Sequence, residues 1–410
     1  MVESKGIVRT NVYSVIEKLY LFFVLMYFLS SMHPWFLGEI ELHQINALYT
    51  ILFVLCIVCL NKKVRLNSGN VFFCVCLWIS SCWGMDGALL GPTFLVLPFF
   101  LIVFTSDVLF YNRFLKLAVS FFALFLPFSY LFFLFAQFGL PPISFFKHSV
   151  YPIYANYVFC IANSFYGVRF SSIFLEPGHL AIVLCVLIFA NGYNFKDKKI
   201  LILSVFVFLT FSLAGFLLFA VGFFLTLYMQ GKLNVKKIIP FVILFLCIAL
   251  IAFKYKEGDN FLYEHFFSRL EFDEDKGISG NNRVSEDVSL LFEKIVSTSL
   301  FWTGFGMEEY SLLFKAGEDG SGILIFILQK GFVSVLLVFF SYLTLGMSLK
   351  KNTKVVLSVL LFYFIMYFQR FYPYWSSFLL TYVCTMTMID KGVFLDKVKI
   401  LLCKQKLYIR

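Results

Sequence analysis

The stretch Leu117-Ala-Val-Ser-Phe-Phe-Ala-Leu-Phe-Leu-Pro-Phe-Ser-Tyr-Leu-Phe-Phe-Leu-Phe-Ala136 runs for twenty residues without a charge. A helix needs about 20 apolar residues to cross a hydrocarbon core of roughly 30 Å. It also satisfies its own backbone N–H and C=O groups, which lipid cannot do. The segment therefore reads as one membrane span. Arg113 and Lys116 stand just before it, and the chain turns polar at Gln137. The same alternation of apolar run and polar border extends in both directions.

Across all 410 residues, 60% are hydrophobic, 20% aromatic and 14% charged, and the mean hydropathy is +0.87. Soluble domains carry about 25% charged residues, so this chain has too little polar surface to cover a water-facing core. A soluble enzyme, a disordered chain and a disulfide scaffold are excluded. An all-α, polytopic integral membrane protein remains. Apolar runs predict spans near 13–30, 45–60, 70–83, 89–104, 117–136, 172–191, 200–212, 214–230, 238–253, 321–346, 355–371 and 374–389. Only Ser212-Leu213 separates the seventh and eighth, which form one hairpin or one broken helix. The expected number is about 12 transmembrane helices, within a range of 10–12. Without a fixed-period repeat or a soluble domain, residues 1–410 read as a single membrane domain.

The net charge of +10 would raise the question of nucleic acid in a soluble protein. Here placement decides, and no nucleic acid is expected. With sides alternating from a cytoplasmic N-terminus, the inner segments carry 23 Lys and Arg against six Asp and Glu, and the remainder 11 against 18. Cytoplasmic loops are enriched in Lys and Arg, so both termini are expected in the cytoplasm. The first span has a basic flank but runs into Met32-His33-Pro34-Trp35 without a small-x-small cleavage site, and reads as an uncleaved anchor. Cys56-x-x-Cys59 and Cys74-x-Cys76 fall in apolar runs without partner histidines, so no metal is expected.

Two long loops fall on the outer side, about 137–171 and 254–320. In the second, Val284, Val288, Leu291, Phe292, Ile295 and Val296 recur at helical spacing, opposite Ser285, Glu286, Asp287 and Glu293. That pattern predicts an amphipathic helix, capped at Asn281 or Asn282 and followed by a turn at Gly304-Phe305-Gly306.

Charges at span depth are costly and mark functional candidates. Arg169 and Glu176 flank the start of the sixth span, Lys330 interrupts the tenth, and Arg370 lies near the outer end of the eleventh. Asp86 sits in a short outer turn. Pro177-Gly178 predicts a broken or bent helix, tolerated where backbone lines a cavity. A helix restarting at His179 would aim N–H groups there, a natural anion site. His179 stands out from His33, His43, His148 and His265 by these neighbours. Arg283 could reach the same vestibule from the large loop. Guanidinium groups favour phosphate because they bind it bidentately and keep their charge. A carboxylate, an imidazole and several arginines at one face fit phosphate-linked chemistry; salt bridging within the bundle is the alternative.

The segment Arg169-Phe-Ser-Ser-Ile-Phe-Leu-Glu-Pro-Gly-His-Leu-Ala181 resembles an element of Wzy-type O-antigen and polysaccharide polymerases. So do Asn281-Asn-Arg283 before an amphipathic helix, Trp302-Thr-Gly-Phe-Gly306, and Leu328-Gln-Lys-Gly331. Some members carry Arg-x10-Gly patterns, a spacing that Arg269 and Gly280 share. The resemblance implies a GT-C-like glycosyltransferase of the bacterial inner membrane, without cofactor, working at the periplasmic face. It would transfer a growing glycan from undecaprenyl diphosphate to a new lipid-linked repeat unit. Its partners would be the undecaprenyl-diphosphate-linked oligosaccharide and membrane lipid, with room for a chain-length regulator and a flippase. Glu176 or His179 would take the acceptor's proton. Arg169, Arg269, Arg283, Arg370 and Lys330 would hold the diphosphate. An O-antigen ligase would share the donor site. A flippase or transporter would place charges in mid-span and keep loops short, and a structural subunit would not need the break at Pro177-Gly178.

The topology predicts that Ser279→Cys reacts with a membrane-impermeant thiol reagent in intact cells. Labelling only after lysis would place residues 254–320 on the inner side and overturn the site.

Overall fold

The computed structural model describes residues 2–37, 40–84, 89–147, 153–163, 167–232, 254, 272–273, 277–278, 285–314, 322–348 and 353–390. The expected span 238–253, most of the large loop, Asp86, His148, His265, Arg269, Asn281, Asn282 and Arg283 lie outside them.

The protein is mostly helical. Among the described residues, eight helices precede the large loop: α1 Val2–Ser30, α2 Leu42–Cys59, α3 Ser68–Cys82, α4 Leu90–Thr105, α5 Val108–Gln137, α6 Pro177–Ala190, α7 Lys198–Leu209 and α8 Leu213–Met229. After it come α9 Glu286–Ile295, the short α10 Leu300–Thr303 and α11 Met307–Leu313, then α12 Ile323–Ser348, α13 Thr353–Gln369 and α14 Ser376–Asp390. Among the described residues, α2, α5 and α12 are long and apolar enough to cross a membrane, and several others are apolar but shorter. Side-chain caps start many helices: Asn67, Asp107, Asp197, Ser212 and Ser285 each accept a first-turn N–H. Ser285 therefore replaces the expected cap at Asn281 or Asn282.

Basic segments meet at one end of the bundle. Arg113 is 2.7 Å from Glu17, the Arg65 N–H donates to Phe104 O at 2.7 Å, Lys199 donates to Ser120, and Lys354 lies 4.0 Å over the Tyr228 ring. The segments between them meet at the other end. There Pro34 bridges to Phe174, Phe170 N–H donates to Leu209 O, and Met307 N–H donates to Gly84 O. Phe208 touches Phe216 and Phe219, so α7 and α8 form a hairpin around Thr210–Ser212; a broken helix would separate those rings.

The first long loop is not featureless. Strands β1 Ser144–Lys147, β2 Ile153–Asn156 and β3 Ile161–Ala162 make an antiparallel sheet. Its inner face, Tyr154 and Phe146, packs on Trp35 and Leu175. In the large loop, β4 Phe272–Asp273 pairs with β5 Gly277–Ile278. The sixth expected span begins later than its apolar run. Helix α6 starts at Pro177, and residues 171–176 are turn and extended chain. Proline disfavours helix in the residue before it and fits the first helical position. So the expected break within a span is a helix start. All 14 residues of α6 are buried. At about 21 Å it is short for a bilayer, but neighbouring helices surround it.

Small residues let α3 and α12 approach closely. Ser80 and Ser334 each donate to the other's carbonyl, at 3.0 and 3.1 Å. Helix α12 is interrupted at Gly331 (φ 73°, ψ 162°). The freed carbonyls of Leu328 and Gln329 accept from Phe305 and Gly306 N–H at 2.8 and 3.0 Å. Gly304 (φ 76°, ψ 174°) and Gly306 (φ 86°, ψ 159°) share the same backbone region, which only glycine adopts readily. A Cβ on Gly331 would collide with the carbonyl of Trp302. Gly331→Ala is therefore expected to destabilise the purified protein by about 3 kcal/mol or more, combining strain and collision. Gly91→Ala, with only His43 near its Cβ position at 3.9 Å, should melt like the parent.

Candidate functional site

Glu176 immediately precedes α6 in extended conformation (φ −130°, ψ 134°) and does not turn back to cap it. Its carboxylate instead pairs with the Arg370 guanidinium. Arg370 follows the last turn of α13, its own N–H donating to Met366 O at 2.9 Å. Arg370 Nη1 also lies 2.5 Å from His179 Nε2, one turn into α6. His179 Nε2 is 3.6 Å from Glu176 Oε2. A guanidinium has no acceptor, so Nε2 must present its lone pair to Arg370, and the ring proton sits on Nδ1. The 3.6 Å approach to the carboxylate follows from their shared guanidinium rather than from an imidazolium pair. Arg370 is 8% exposed and His179 5%, while Glu176 is the more open member.

Gly178 explains how the guanidinium gets so close. A Cβ there would lie 2.8 Å from Arg370 Nη2 and 3.3 Å from its Cζ. On the other side, Trp375 meets the imidazole edge to face at 4.8 Å, and Tyr372 lies at 5.5 Å. The two aromatics stack on each other at 4.3 Å with their planes 6° apart. His33, in left-handed conformation (φ 46°), lies 6.4 Å from Trp375. Sequence reasoning passed over Trp375, Tyr372 and His33, because aromatics at span ends are commonplace interfacial residues and His33 has no distinguishing neighbours.

The other expected site residues divide. Lys330 is buried in a different setting: its ammonium donates to Ser81 O at 2.7 Å and Trp83 O at 3.1 Å and lies 6.0 Å from the Tyr374 ring. These carbonyls end α3, where a cation complements the helix dipole. Lys330 closes a helix end beside the Gly304–Gly331 clamp, and the partners it shows are backbone carbonyls. Arg169 is half-buried, its Nε donating to Thr210 O at 3.4 Å, which ties residues 169–176 to the α7–α8 turn. Arg269 and Arg283 lie outside the described residues. Burial pushes the Cys160 thiol well up, which makes it a poor nucleophile. Among the described residues, no three or more His, Cys, Asp and Glu side chains gather as a metal site.

Compared with family models, curated proteins and solved structures, the chain matches none.

Breaking a buried pair by removing one partner costs roughly 3–5 kcal/mol, so its geometry can be tested more gently. Gly178→Ala should displace Arg370 and reproduce the functional loss of Arg370→Gln. Wild-type function in Gly178→Ala would mean that the guanidinium position is not critical.

Proposed function

We propose that this chain is a membrane glycosyltransferase that polymerises lipid-linked oligosaccharide repeat units, a Wzy-type polysaccharide polymerase. In this reading it is a GT-C-like bundle of about twelve spans in the bacterial inner membrane. Both termini are cytoplasmic and the Glu176 cluster faces the periplasm. The observation that carries the reading is the nearly buried Glu176–Arg370–His179 cluster, placed at the end of the bundle opposite the basic segments.

The acceptor hydroxyl oxygen attacks the anomeric carbon of the growing glycan. The bond from that carbon to the diphosphate oxygen breaks, and undecaprenyl diphosphate leaves with the electron pair. Arg370 meets the developing charge, assisted by Arg169, Arg269 and Arg283. The hydroxyl proton goes to Glu176. A carboxylate offers about four lone-pair sites and keeps others while engaged by Arg370; a neutral imidazole offers one, already directed at Arg370. His179 is then a positioning residue.

Glu176→Asp retains a counter-charge for Arg370 but withdraws it by one methylene. It should shorten the surface polysaccharide seen on a gel at unchanged membrane abundance, and Glu176→Gln should leave single repeat units. His179→Gln, which keeps an acceptor for Arg370, should retain much more extension than His179→Ala. Equal loss in both, by roughly two orders of magnitude or more, would make His179 the base. Long chains in Glu176→Gln would reduce the cluster to a bundle salt bridge. Loss of all capping in a deletion strain, rather than accumulation of single repeats, would indicate a ligase.

A further inference from the structure

We infer that the turn Tyr157–Cys160, between β2 and β3, is seated inside the bilayer, with Val158 and Phe159 against phospholipid acyl chains. The inference rests on the membrane reading of the chain, not on its glycan chemistry. The turn belongs to the first long loop, which hydropathy alone places outside the spans.

Its depth follows from its contacts. The Phe159 ring lies 4.9 Å from Phe128, 5.1 Å from Phe132 and 6.5 Å from Phe125. All three partners fall within the uncharged run 117–136, on α5, which is long and apolar enough to cross a membrane. Whatever the tilt of α5, a bilayer that covers this run also covers Phe159.

Irregular backbone is tolerated at that depth only where protein satisfies its polar groups. The carbonyls of this turn meet the condition. Tyr157 N–H donates to Cys160 O and Phe159 N–H to Tyr157 O, both at 2.9 Å. Val158 O accepts from Trp35 Nε1 at 3.0 Å, and Phe159 O accepts from Ser129 Oγ at 2.5 Å. Val158 N–H is taken by Asn156 Oδ1 at 2.7 Å. Water would satisfy such groups unaided, so the indole and hydroxyl donors mark a turn withdrawn from it.

The surface left open is apolar. Val158 and Phe159 are 39% and 37% exposed, and Leu124, Phe128, Leu131 and Phe135 are exposed at helical spacing along α5. Helices that pack together in a membrane do so through small residues, as Ser80 and Ser334 do between α3 and α12. This face carries leucine and phenylalanine instead, which fits acyl chains rather than a further helix. The seat also reaches the candidate site. Ile161 N–H donates to Ser172 O at 2.9 Å, and the Ser172 hydroxyl lies 2.8 Å from Ser129 Oγ, in the segment that leads to Glu176.

The test uses the unmodified full-length protein in phosphatidylcholine vesicles. One sample contains a phosphatidylcholine with a diazirine on its acyl chain, and a second receives a water-soluble diazirine. After illumination, mass spectrometry maps the adducts. Residues 157–160 should be labelled by the lipid probe together with residues 124–135, and spared by the water-soluble one. Lipid adducts on α5 with none on the turn, as a protein partner seated there would give, would overturn the inference while leaving the membrane reading in place. So would aqueous adducts on the turn. Absence of lipid adducts from both segments would remove the membrane reading as well. Glycan extension is not read in this experiment, so its outcome is separate from that of the polymerase reading.

Discussion

Arg370 keeps its charge at any ordinary pH and is almost wholly withdrawn from water. Such a group must have an anion beside it, and Glu176 is that anion. The pairing joins the end of α13 to the start of α6. It requires Gly178 to lack a side chain and orients His179 by occupying its Nε2 lone pair. Helix α6, buried along its whole length, makes the start of that helix a fixed point. A flexible loop would not hold three polar groups so closely.

The second buried cation is handled differently. Lys330 has the carbonyls of α3 for partners, and the interruption of α12 at Gly331 frees carbonyls that the Gly304–Gly306 segment takes up. A helix interior has no spare backbone groups. Both charges therefore sit where helices start, stop or kink. One arrangement uses a side-chain anion; the other uses fixed backbone and closes on itself.

Much of the helix placement was legible from hydropathy, because a long uncharged run has few other structures available. The pairing of segment ends was legible from Lys and Arg. The start of α6 was not. Ile173 to Leu175 are as apolar as the helix that follows, and Pro177 hints that this stretch forms a turn and a bridge to Pro34. The β1–β3 sheet was missed because its strands are short and Phe145 and Phe146 carry no clear alternation. Within the site, the cost of burying charge singled out Glu176 and Arg370, and the neighbouring Pro177-Gly178 singled out His179. The cost of burial also selected Lys330. A sequence does not display which carbonyls lie nearby, so a helix-closing lysine and a ligand-binding one look alike. Trp375 was invisible because its partner His179 lies almost two hundred positions away.

The central claim is that Arg370 donates to Nε2 of His179 while paired with Glu176. The most direct measurement is nitrogen NMR of the protein labelled only in histidine, with His179→Gln to assign the signal. The account predicts a neutral ring carrying its proton on Nδ1, with a hydrogen-bonded, unprotonated Nε2 that loses its partner in Arg370→Gln. A ring protonated at Nε2, either as the other tautomer or as the imidazolium, would contradict it.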